Sequence, residues 1–99
     1  MQVRESAWHL EGIMALRFIG IDPETNGNGS STFWLDEESR EIIAQGYIAG
    51  EALRQRVAQT PAPGHEAGIP EGEDIIRIPD RLVPVLRKVC DAAERLGLG

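Results

Sequence analysis

Few stretches of the chain carry side chains whose types and spacing could do chemistry. Asp22, Glu24 and Asn26 alternate ahead of Gly27, as the first ligands and the bend of a calcium-binding loop do. Such a loop ends on a bidentate Glu at its twelfth position, which here is Phe33, and no flanking helices are expected. Gly27 and Gly29 suggest a phosphate cradle, yet no Lys-Ser or Lys-Thr follows them, and a strand rather than a helix is expected behind. A glycine-rich connector is the simpler reading. Asp36, Glu37 and Glu38 stand together in a second acidic stretch. With Asp22 and His65 they would make a small-molecule or metal site if folding brought them together; consecutive carboxylates in a turn more commonly keep it solvated. His65 has no second His or Cys at ligand spacing and no convergent carboxylate pair to make it a ligand or base. Arg54 and Arg56 offer an anion contact or, more simply, a solvated helix face. Cys90, the single cysteine, excludes an internal disulfide, lacks an evident activating partner and reads as a small core residue. The expectation is therefore a protein that is not an enzyme, with no catalytic residues, no metal and no cofactor.

The elements that would position these residues are clearer. Residues 32–49 read as two strands joined by a charged turn at 36–40. Setting Leu35 opposite Ile42 places Phe33, Leu35, Ile42, Ala44, Gly46 and Ile48 on one face, small in the middle so that a helix can pack close. Trp34, Ile43 and Tyr47 then share the other face with Gln45, Trp34 lying across from Ile43. That face should meet water, and its apolar content points to a contact surface. Residues 15–22 form a first strand closed by Asp22-Pro23, and 50–59 a short helix with Leu53 and Val57 on its apolar stripe. The prolines and glycines of 60–73 exclude a regular element and predict an exposed loop.

A short strand at 74–78 precedes a closing helix over about 80–96, capped by Asp80 or begun at Pro84. Leu82, Leu86, Val89, Ala93 and Leu96 line its apolar face, with Val85 and Cys90 at the margins. The order is β-β-β-α-β-α. It predicts an α+β fold: a small, mostly antiparallel four-stranded sheet with the helices packed on one face. Residues 14–97 form a single domain, and residues 1–13 an N-terminal arm expected to be partly disordered.

Ninety-nine residues with 41% hydrophobic and 26% charged content suit one small globular domain. A net charge of −6 argues against nucleic acid or an anionic membrane as the main partner. Arg81, Lys88 and Arg95 recur at intervals of seven, but Asp91 and Glu94 dilute that stripe. No apolar run approaches the roughly 20 residues of a membrane span, and no secretory leader is evident, so the cytoplasm is expected.

The segments GIDP (20–23), TFWLDEESREIIAQGYIA (32–49) and IRIPDRLVPVLRKVCDAAE (76–94) together resemble small acidic actinobacterial proteins of the BldB-like group, often encoded beside helix-turn-helix regulators. The resemblance covers about residues 14–94 and rests on the general pattern. It implies a non-enzymatic, self-associating regulatory or accessory protein, and it supplies no catalytic residues. The leading expectation is thus a homodimeric interaction module whose interface centres on Trp34, Ile43 and Tyr47 and whose partner is a protein such as a helix-turn-helix transcriptional regulator. Two other arrangements compete for the seam: the arm with Trp8 covering that face within one chain, or a dimer through the closing helix.

Overall fold

A computed structural model describes residues 16–24 and 30–96. The arm at 1–13, Asn26 and Gly27 of the calcium-like loop, and Gly97 lie outside the described residues. The fold is α+β. Strands β1 (Leu16–Ile21), β2 (Thr32–Asp36) and β3 (Glu41–Gln45) form one antiparallel sheet in that order. Strands β4 (Tyr47–Ile48) and β5 (Ile76–Arg77) make a second, two-stranded ribbon. Between them runs helix α1 (Glu51–Ala58), and a 3-10 turn at Asp80–Leu82 leads into α2 (Val83–Arg95).

The hairpin register is the expected one: Leu35 faces Ile42 and Trp34 faces Ile43. Asp36 fixes the turn. Its Oδ1 accepts the amides of Glu38 and Ser39 at 3.0 and 3.1 Å, and its carbonyl accepts the amide of Arg40 at 2.8 Å. Arg40 closes the turn at φ 63°, the left-handed residue that four-residue hairpin loops often need.

The predicted single four-stranded sheet is corrected to three strands plus two, and the break falls at Gly46. A Cβ there would sit 3.0 Å from Ile76 Cδ1 and 3.1 Å from the Arg77 carbonyl oxygen. Glycine lets β5 approach this closely without displacing its neighbours. The chain leaves β3 at that point and pairs Tyr47 with Arg77 and Ile48 with Ile76.

The core lies between α2 and one face of the three-stranded sheet. Ile19, Phe33, Leu35, Leu82, Val89, Ala92 and Ala93 are buried there, flanked by Ile78, Val85, Leu86 and Leu96. The helical stripe read from the sequence holds, with Ala92 added, whereas Cys90 is exposed rather than a core residue. Pro84 sits in the first turn of α2, where no amide partner is missing, but Asp80 supplies no cap.

Two further expectations change. α1 contributes no buried side chain, so α2 alone packs against the sheet. It also packs mainly against β1 and β2. Ile42 (51% exposed), Ala44 and Ile48 are therefore outside the core, although Phe33 and Leu35 lie inside it.

Close helix packing comes from β1 instead. Phe18 pairs with Trp34 and Gly20 with Phe33, so Ile19 is an extra residue in a β-bulge. Ile19 and Gly20 both turn toward the helix. A Cβ on Gly20 would lie 2.8 Å from Val85 Cγ1. Gly20→Ala is expected to cost about 1–3 kcal/mol by overpacking, read from denaturant melts, and Val85→Ala in the same chain should recover part of the loss.

Residues 60–73 run exposed, as expected. Ala62-Pro63-Gly64-His65 and Pro70-Glu71-Gly72-Glu73 each close with an amide-to-carbonyl bond, at 3.0 and 3.1 Å. Gly64 and Gly72 take φ values of 80° and 91° in the third position of these turns.

Candidate interaction surface

Residues directly opposite in an antiparallel sheet point to the same side. Phe18, Trp34 and Ile43 therefore form one row across all three strands, on the face away from α2. Ile21 belongs to this face too, because the bulge shifts it opposite Thr32; a regular strand would have turned it toward the helix. Leu16, two residues before Phe18 and opposite Asp36, lies on the same side. Leu16, Phe18 and Ile21 are 44%, 56% and 45% exposed, while Trp34 and Ile43 are half-buried among their neighbours. The result is an apolar patch built on a rigid sheet.

Of the three interface residues read from the sequence, Trp34 and Ile43 come together as cross-strand partners. Tyr47 does not join them. It lies in the β4–β5 ribbon with the Arg77 guanidinium over its ring, 5.5 Å from the centroid. The members that sequence reasoning missed are Leu16, Phe18 and Ile21. The signal was present as apolar residues at alternate positions 16 and 18, but the bulge hides Ile21 from a regular period-two reading.

The acidic residues of the metal or small-molecule reading are placed far apart in the fold. Asp22 follows the end of β1 at Ile21, which pairs with Thr32, whereas Asp36–Glu38 sit at the opposite end of β2. Asp22 is buried, and Arg81 grips it with Nη2 2.7 Å from Oδ2 and Nε 3.3 Å from Oδ1. The Glu24 amide donates to Oδ1 at 3.0 Å. The Arg81 hydrogen bond, aided by that amide, holds the Asp22 carboxyl below its usual range despite burial. Glu24 adds a longer contact of 3.7 Å to Arg81. The first member of the basic stripe is thus engaged in an ion pair with a buried carboxylate.

Asp36 is likewise lowered, by hydrogen bonds from the Ser39 amide and then its hydroxyl, which fits a turn-forming role. Glu37 makes an ion pair with Arg17 at 3.0 Å without hydrogen-bond alignment. Arg54 pairs with Asp74, tying α1 to the end of the long loop, and Asp74 is lowered first by the Ile75 amide and then by Arg54. His65 is exposed in its turn. Among the described residues no group of three or more His, Cys, Asp or Glu is placed to hold a metal ion. No helix among them is long and apolar enough to cross a membrane.

Compared with protein-family models, curated proteins and solved structures, the chain matches none of them.

Proposed function

We infer that this is a cytoplasmic, non-enzymatic interaction module that self-associates and engages a protein partner through the open face of its three-stranded sheet. The row Phe18–Trp34–Ile43, bordered by Leu16 and Ile21, carries this reading. Aromatic residues on a rigid apolar face are typical anchors of protein contacts, and solvent exposure of such a cluster is otherwise unfavourable. The likeness to BldB-like accessory proteins supports a regulatory partner of the helix-turn-helix type. The chemistry of the polar groups supports the same side: Asp22, Asp36 and Asp74 are each engaged in shaping the fold. Tyr47 belongs to this reading only as a neighbour, since its ribbon is separate from the sheet.

Phe18→Ser provides the test, because Phe18 is more than half exposed and its loss leaves the core intact. The melting temperature should stay within a few degrees. Binding of proteins co-purified from the native host should weaken about tenfold or more. Unchanged capture by the variant would remove the sheet face from consideration.

A further inference from the structure

We propose that β3 is a dimerisation edge: two copies pair β3 to β3 antiparallel about a two-fold axis at Ile43, joining two three-stranded sheets into one of six. This rests on the self-association in the function proposed above and names its geometry.

The two edges of the sheet are not alike. β1 carries a bulge at Ile19 and a charged Arg17, devices that discourage a further strand. β3 has neither. Its five residues follow β2 without a register shift, and four of them are exposed. Among the described residues no strand lies on its outer side. α2 also leaves both faces of β3 uncovered, with Ile42 on one and Ile43 on the other. An open, flat, largely uncharged strand is what backbone pairing requires.

The sequence of β3, Glu-Ile-Ile-Ala-Gln, is complementary to itself in the reversed direction. With Ile43 on the axis, Glu41 meets the second copy's Gln45, and Ile42 meets its Ala44. Each pair occurs twice, as an isologous contact demands. Like charges are kept apart: the two Glu41 carboxylates fall at opposite ends of the seam. About four to six backbone hydrogen bonds would form over this length. The same register aligns the apolar rows. Phe18, Trp34 and Ile43 of one copy would continue into Ile43, Trp34 and Phe18 of the other, giving a single stripe across six strands. No other centre on β3 keeps both the rows aligned and the glutamates apart.

The test is the oligomeric state of the full chain by sedimentation equilibrium, with charge variants at the seam. Gln45→Glu sets two Glu–Glu pairs across the axis and should weaken the dimer by about three- to thirtyfold. Adding Glu41→Lys to that variant converts both pairs to Lys–Glu and should restore it. Ile43→Cys in a Cys90→Ser background should oxidise to a disulfide-linked dimer, whereas Glu37→Cys in the same background should form no disulfide-linked dimer. A monomeric parent overturns the proposal. So does a dimer indifferent to Gln45→Glu and not cross-linked through position 43; if Phe18→Ser still weakens partner capture, the sheet-face function stands and only the edge geometry falls.

Discussion

Asp22→Ala is expected to lower the melting temperature by about 5–10 °C and to loosen α2 from the sheet. The carboxylate is buried at the end of β1, and its Arg81 partner lies 59 positions later at the entrance to α2. The pair thus fixes where the helix crosses the strands. Truncation strands the Glu24 amide, which donates to Asp22 Oδ1, and leaves Arg81 with the longer Glu24 contact among those described. Arg81 is 39% exposed in its side chain, so water recovers part of its charge and the loss stays below that of a sealed ion pair.

The acid response follows with a definite sign. A carboxyl whose folded pKa is depressed stabilises the fold above its unfolded value, about 3.9, and loses that contribution as pH falls through the folded value. Asp22, Asp36 and Asp74 are all lowered, the first mainly by Arg81 and the others mainly by turn amides. Stability should be flat above about pH 5 and decline below about pH 4. Asp22→Asn should start lower at neutral pH and fall less steeply in acid. Melts of parent and variant across that range decide it; parallel acid limbs would show that Asp22 is not a contributor.

Local patterns made much of this fold legible. Alternating side chains and the charged turn sufficed for the register of Trp34 with Ile43, because a hairpin's register is set by nearby residues. The spacing of Leu82, Leu86, Val89 and Ala93 sufficed for α2, and that of Leu53 and Val57 for the place of α1. What the sequence hid depends on contacts between distant segments. Gly46 looked like a small residue beneath a helix, whereas its missing Cβ admits β5 from thirty residues away. Asp22 looked like a loop ligand because nothing local announces Arg81. The bulge at Ile19 moved Ile21 onto the open face, and the packing of α2, mainly on β1 and β2, left Ile42 outside the core. Of the three residues read from the hairpin, Trp34 and Ile43 lie across from one another and Tyr47 does not join them; the rest of the apolar row comes from β1.

Leu35→Ala and Ile42→Ala are expected to differ sharply although the two residues face one another on the same side of the sheet. Leu35 is fully buried under α2, and its truncation should cost about 2–5 kcal/mol, a large share of the roughly 5–15 kcal/mol that holds a domain of this kind. Ile42 is 51% exposed on a strand outside the main packing of the helix, and its truncation in the monomer should cost less than about 1 kcal/mol. Urea melts at low protein concentration measure both. Concentration then becomes informative, because β3-to-β3 pairing would place Ile42 against Ala44 of a second copy and withdraw it from water. Under that arrangement the cost of Ile42→Ala should grow as the protein is concentrated, while the cost of Leu35→Ala relative to its parent should not. An Ile42 penalty as large as that of Leu35 at every concentration would mean that β3 is covered within the single chain, and would overturn both the limited reach of α2 and the open edge.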